Sequence, residues 1–467
     1  MNKIRFGWLS IIACIIFIIP ISQVDAADHL DERIYYILVD RFVNGNNDND
    51  LPINIEDPEA YHGGDIAGVI DTLAEIKEKG FTAINLSPIM ASESYHGFDT
   101  LDHQAINQHF GTVEELRELV EQAHEHDLKI ILDFVISQVS PAHPFASQEQ
   151  AEGLFNQQVS NLELTSDSND YIIEAAQFWI NEAGVDGFHL YVNETTNSQV
   201  VEQFQDTISD NAFVIAEGIE NVGITMNQAF QQDAVNMLKQ PSQSLAPLFE
   251  EGSTIAANKV NYMDSVLTNR FTFETASEGY HPVTRWKLAT TLLYTLPGSS
   301  LLYQGVEVPM DNGEAEPDHR MAELNKEDEE ITKHIEKLSR IREVSPALTS
   351  GEFELVDQVG AMTVFKRETA DETMYVAINN DTKTQVAMLE GINSDMQLTG
   401  LLEDDIVREQ EDGTHRIVLD RETSNIFIVE ENTGFNWFFI TMMIAIFGGF
   451  IAFVIAFNSR VKKHQTK

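Results

Sequence analysis

The chain has 467 residues, with 75 Asp and Glu against 29 Lys and Arg, a formal net charge of −46 and 43% hydrophobic residues. That much acid repels nucleic-acid backbones and anionic lipid surfaces, and the hydrophobic share excludes wholesale disorder. The single cysteine excludes a disulfide framework, and the length predicts several domains or one large barrel with an appendage.

Residues 1–26 read as a secretory signal peptide: Lys3 and Arg5 precede an apolar run from Trp8 to Ile21, and Val24-Asp25-Ala26 is a small-residue cleavage pattern. Cys14 lies inside that run, so cleavage leaves a cysteine-free protein suited to an oxidising exterior. From residue 27 onward, short apolar runs of strand type alternate with amphipathic helical stretches. The predicted strands are 34–39, 81–86, 130–134, 187–191, 213–216, 234–238, 260–263 and 300–303, with helical patterns at 66–79, 113–126 and 172–183. Such alternation predicts an α/β fold, a closed parallel (β/α)8 TIM barrel over 27–348. A helix at 326–344 finishes it, and 140–169 is a short polar excursion after the third strand.

Over 349–431 the pattern changes to short alternating strands (353–355, 362–367, 374–379, 416–419, 425–429) with polar turns, which predicts a small C-terminal antiparallel β-sandwich domain. The charged stretch 403–412 reads as a solvated hairpin edge. Residues 435–457 are apolar apart from Asn436, Thr441 and two glycines. At about 1.5 Å per residue they can cross a ~30 Å hydrocarbon core. Trp437 sits near one end of the span, and Arg460, Lys462, Lys463 and Lys467 follow it. By the positive-inside rule this is a C-terminal transmembrane helix with a basic cytoplasmic tail at 458–467 and the body held outside the cell membrane.

In a parallel barrel the chemistry sits at the C-terminal strand ends. Those ends carry Asp40-Arg41, Asp133, His189 with Tyr191, Glu217 and Asp264. The period of two along the fourth strand puts His189 and Tyr191 on one face, the lumen, and Phe188 and Leu190 on the other.

Several segments together resemble the α-amylase family, glycoside hydrolase family thirteen, over most of the span from Asp31 to about Val429. Asp40-Arg41-Phe42 followed by the Asn/Asp-rich run 44–50 resembles the first strand and its calcium loop. His62-Gly63-Gly64-Asp65 is similar to the Gly-Gly-Asp turn, and Tyr95-His96-Gly97-Phe98-Asp99 to a segment lining the sugar subsite at the cleavage point. Leu302-Tyr303-Gln304-Gly305-Val306-Glu307 resembles the eighth strand. The family uses an Asp nucleophile on strand four, a Glu acid/base on strand five and an Asp on strand seven. Retention needs two opposed carboxyl groups about 5–5.5 Å apart.

Measured against that pattern, Glu217 keeps the acid/base position, Tyr191 occupies the nucleophile position and Leu267 that of the third carboxylate. His189 stands where the family has an Arg, Val266 where it has a His, and Ser137-Gln138 where it has Asn-His. The resemblance makes His96, Phe98, Asp133 and His189 substrate-binding residues. It also implies one structural Ca2+ held by Asn44, Asn46, Asn49, Asp50, the Gly63 carbonyl and Asp65, although an Asn/Asp-rich polar turn needs no metal. A second calcium of the family would use the position of Ser137 and is expected to be absent. A phenol of pKa ~10 at position 191 needs activation by a neighbouring base before it can attack.

These replacements lead to the expectation of a membrane-anchored extracellular pseudoenzyme that binds α-glucan or another cell-surface glycan, or serves as a protein scaffold. The alternative is an active hydrolase with Glu217 as acid and a relocated base, Asp99, Asp133 or Glu194, acting through water.

Overall fold

The computed structural model describes residues 30–465 apart from 156, 164, 194, 195, 197, 221, 251–253, 312–318, 433, 435 and 436. The signal expected at 1–26 and the candidate base Glu194 lie outside the described residues.

Eight parallel strands close a barrel in sequence order: Arg33–Ile37, Ala83–Leu86, Lys129–Val135, Gly187–Tyr191, Phe213–Glu217, Ile224–Met226, Lys259–Tyr262 and Ser299–Tyr303, the last pairing with the first. Alternation along each strand sorts the apolar side chains into two cores. Ile34, Tyr36, Ile131, Tyr191, Ile215, Val260, Leu301 and Tyr303 fill the lumen. Tyr35, Ile37, Leu132, Phe188, Leu190 and Leu302 pack outward under the helices.

One predicted strand is corrected. Residues 234–238 belong to the helix Gln228–Leu238, and the sixth barrel strand is Ile224–Met226. The buried residues Phe230, Gln231, Ala234, Val235 and Leu238 recur at helical spacing, and the Asn227 side chain caps the helix by accepting from the Phe230 N–H. A three-residue strand is too short to display a period of two.

The excursion forms an antiparallel sheet of Gln138–Val139, Gln158–Leu162 and Ala146–Glu152, with Gln158–Leu162 in the middle. The helix after it, Ser166–Ala183, starts six residues before the predicted 172, because Thr165 and Ser168 form a reciprocal capping box.

In the C-terminal domain, six antiparallel strands lie in the order Glu352–Val359, Met362–Glu368, Thr373–Asn379, Thr423–Glu431, Met396–Gly400 and Ile406–Arg408. A two-stranded sheet, Gln385–Leu389 with His415–Leu419, packs on this sheet through Met362, Val364, Ala377, Ala387, Leu389, Ile417 and Phe427. The strands Gln385–Leu389, Met396–Gly400 and Ile406–Arg408 are additional to those expected from the sequence.

Two buried arginines join this domain to the barrel. Arg285 on the helix Pro282–Thr295 donates to Asn380 Oδ1 (2.5 Å) and Glu422 Oε1 (2.9 Å). Arg367 donates to the carbonyls of Thr295 (2.7 Å) and Gly351 (3.0 Å). After Glu431 the chain enters the helix Trp437–Gln465, of which Phe438–Ala456 is long and apolar enough to cross a membrane.

Candidate active site

The strand register builds the site in layers. Asp133, His189 and Ile215 stand side by side on the third, fourth and fifth strands, and Val135, Tyr191 and Glu217 form the next layer towards the C-terminal mouth. Adjacent parallel strands in register point equivalent residues the same way, so Asp133 and His189 meet in one layer while Tyr191 and Glu217 share the next.

His189 is fully enclosed. Its Nδ1 lies 3.1 Å from Asp133 Oδ1 and its Nε2 lies 2.9 Å from Glu217 Oε2. Burial opposes a charge on this ring, but Asp133 and then Glu217 outweigh it and hold the imidazole pKa at about 9. At neutral pH the lumen therefore contains an imidazolium between two carboxyl groups. Asp133 is committed further: its Oδ2 accepts from the Tyr36 hydroxyl (2.6 Å) and its Oδ1 from the Asn85 amide (2.7 Å).

Tyr191 is buried, 4.4 Å from the His189 ring and edge-to-face with Phe98 at 4.9 Å. Burial first, and then the neighbouring carboxyl groups of Asp133 and Glu217 and the Tyr36 phenol, push its own phenol well above 10. Val266 is wholly buried in the lumen core and Leu267 packs half-buried against it. Asp264, nearby in sequence, is turned into packing: its Oδ2 accepts the Phe271 N–H (2.9 Å) and pairs with Arg270 (3.4 Å). Burial raises the Asp264 pKa.

His96 and Phe98 lie together at the mouth, the His96 Nδ1 accepting the Phe98 N–H at 3.1 Å. Asp99 accepts from the backbone N–H (3.2 Å) and hydroxyl (2.6 Å) of Ser94, and burial raises its pKa. Glu217, Tyr191, Asp133, His189, His96 and Phe98 are thus gathered at one end of the barrel, with Leu267 at the side. Sequence reasoning missed Tyr36 and Asn85, which hold Asp133, and Phe155, whose ring is 4.5 Å from His96 and 5.0 Å from Phe98. Each left a signal: Tyr36 shares the lumen period of Ile34, Asn85 is a polar residue inside an apolar strand, and Phe155 is a lone aromatic in a polar stretch.

In the loop after the first strand, Asn44 Nδ2 donates to Asp50 Oδ1 (2.9 Å). The backbone of Gly63 has φ +94°, and a Cβ there would stand 2.8 Å from Asn44 Nδ2 and 2.9 Å from Asp50 Oδ1, so only glycine fits. Among the described residues, Asn44 Oδ1 and both side-chain amide atoms of Asn49 are buried without a hydrogen-bond partner. Unsatisfied buried oxygens beside a carboxylate suit a hard cation. Asp65 is used otherwise: its carboxylate accepts the N–H groups of Gly45 (3.0 Å), Asn46 (2.9 Å) and Gly68 (2.7 Å), capping the helix Ile66–Glu78. The Asn46 side-chain oxygen accepts the Asp48 N–H (3.0 Å).

A closed parallel barrel with carboxyl groups gathered at its C-terminal mouth, followed by an antiparallel sheet domain, is the architecture that the resemblance to the α-amylase family implies. The comparisons with known proteins agree. Residues 36–157 match the model of the α-amylase catalytic domain, and residues 351–427 match that of the α-amylase C-terminal domain. An Anoxybacillus α-amylase superposes with a TM-score of 0.80 at 33% identity, covering 87% of this chain and 99% of that one. The Geobacillus thermoleovorans α-amylase, solved with acarbose, gives 0.78 at 31% identity over 86% and 99%. A cyclomaltodextrinase from Thermoanaerobacter pseudethanolicus is 27% identical over 421 residues, 78% of this chain and 72% of the relative. The chain belongs to the α-amylase family.

Proposed function

We propose that this protein is a membrane-anchored extracellular member of the family that binds α-glucan and has given up retaining hydrolysis. The observation that carries the reading is the environment of Glu217. Its neighbour on the fourth strand is Tyr191, buried and held above 10, in place of a carboxylate able to capture an oxocarbenium-like carbon. The Glu217 carboxyl group is also engaged inward, its Oε2 lying 2.9 Å from the His189 Nε2. The relocated-base alternative loses ground as well. Asp99 is occupied by Ser94, and the space between Asp133 and Glu217, where an attacking water would stand, is filled by the His189 ring. The relatives, α-amylases and a cyclomaltodextrinase, support an α-glucan as the ligand class.

The anchor is the helix Phe438–Ala456, with the signal at 1–26 directing export. The structural cation is Ca2+ at Asn44, Asn49 and Asp50 beside Gly63, where it would satisfy the two buried amide oxygens and brace the loop.

The deciding assay is reducing-sugar release from maltoheptaose and starch by the detergent-solubilised protein. No release is expected, in the wild type or in Glu217→Gln, while calorimetry detects maltoheptaose binding. Release abolished by Glu217→Gln would overturn the reading. Chelation of Ca2+ is expected to lower the melting temperature, as removal of any ligand bound only by the folded state does. An unchanged melting temperature would leave the loop a metal-free turn.

A further inference from the structure

We propose that Phe155 is a displaceable plug over the mouth of the barrel, and that a glucan ring reaches His96 and Phe98 by pushing it aside. The ligand in this proposal rests on the glucan-binding reading above. Phe155 sits at the tip of the hairpin formed by Ala146–Glu152 and Gln158–Leu162. The outgoing strand is polar and mostly exposed and the returning strand buries Val159, Ser160 and Leu162; at the tip Leu154 is 50% exposed, yet Phe155 is only 8% exposed and belongs to the lumen core. Its ring contacts His96 (4.5 Å), Phe98 (5.0 Å, edge-to-face) and His319 (6.0 Å). Phe98 continues the row to Tyr191 at 4.9 Å, and Tyr191 to His189 at 4.4 Å. An aromatic column therefore runs from the surface to the imidazole beside Glu217, and Phe155 is its outermost ring.

The attachment of the hairpin is lopsided. Its base is fixed by the Glu163 N–H to the Phe145 carbonyl (2.9 Å) and by the pairing of Gln138 with Asn161 and of Val139 with Ser160. Among the described residues, the hydrogen bonds of 147–157 stay within the hairpin: Gly153 N–H to the Gln157 carbonyl (2.7 Å), Phe155 N–H to Gln157 Oε1 (2.9 Å), Ser147 Oγ to the Glu149 carbonyl (3.0 Å) and the strand ladder. The returning strand is packed through Val159 and Leu162, while in the outgoing strand and the tip Phe155 is the one buried ring among the described residues, holding a polar arm over the mouth. A contact of that kind opens at modest cost, because the outgoing strand and the tip bury little other apolar surface. Apparent affinity for a ligand that needs the open arm is reduced by the fraction of molecules in which it is open.

The test uses the full-length protein in detergent, with maltoheptaose as the probe and hydrogen exchange read by mass spectrometry. In Phe155→Ala, exchange is expected to rise at 146–158 and at 94–99 while the barrel strands keep their protection. Maltoheptaose affinity is expected to rise by at least about tenfold as the open fraction approaches one. Phe155→Leu, which keeps apolar volume but loses the ring, should fall between the two and guards against a misfolded alanine variant. Unchanged exchange at 146–158 would overturn the plug, and so would an affinity that stays level or falls, since Phe155 would then be a wall of the site. If exchange rises at both segments and neither protein binds maltoheptaose, the plug is supported and the glucan reading fails, so the two failures are distinguishable.

Discussion

His189 carries the electrostatics of the lumen. Replacing it by Gln keeps similar bulk but leaves Asp133 and Glu217 without their shared counter-charge, which is expected to destabilise the fold by about 3–5 kcal/mol in urea unfolding. Its folded-state pKa of about 9 lies above the ordinary 6.5. Its contribution is therefore fully present below about pH 6.5 and is lost as pH rises through 9, so the stability gap between wild type and His189→Gln should narrow across that window. His103 and His143 behave in the opposite sense: burial holds both down at about 4. Their stabilising contribution is present above about pH 6.5 and drains away as pH falls towards 4, because the unfolded chain takes up protons first. His103→Gln should flatten that acid limb; an unchanged slope would show the ring is not what titrates. At this scale much of the site was legible, since a period of two already placed His189 and Tyr191 in the lumen. The imidazolium bridge was not, because it depends on the register of three strands that are far apart in sequence.

The element scale shows which signals survive in a sequence and which do not. Seven of the eight barrel strands lie at or overlapping the positions that their apolar runs predict; the exception is Ile224–Met226, three residues long and recognisable only by its neighbours on either side. The run at 234–238 looked like a strand because five residues cannot separate a period of two from one face of a helix. Side chain-to-backbone bonds across domains are equally invisible beforehand. Arg367 is buried, with its donors on the carbonyls of Thr295 and Gly351. Arg367→Met should leave those acceptors unsatisfied and cost about 1–3 kcal/mol, seen as a lower melting temperature. A neutral result would mean that water replaces the guanidinium at the seam.

On the scale of the whole molecule, the acidity concerns habitat more than chemistry. Six of the 29 basic residues lie in 1–26 and 458–467, so the body between them is more acidic than the total of −46 conveys. Added salt should therefore raise the melting temperature by screening self-repulsion, most steeply below ~0.1 M where the screening length exceeds ~10 Å. Insensitivity to salt would place the acids in local pairs instead. The strand that leads to the C-terminal helix, Thr423–Glu431, runs between Thr373–Asn379 and Met396–Gly400, hydrogen-bonded on both sides. Tension arriving through that helix would therefore meet two ladders in shear, which must slip together before the strand can peel, and the seam at Arg285 and Arg367 would pass the remainder into the barrel wall. If the helix anchors the chain as proposed above, this arrangement would let the body bear a pull on its tail without unravelling.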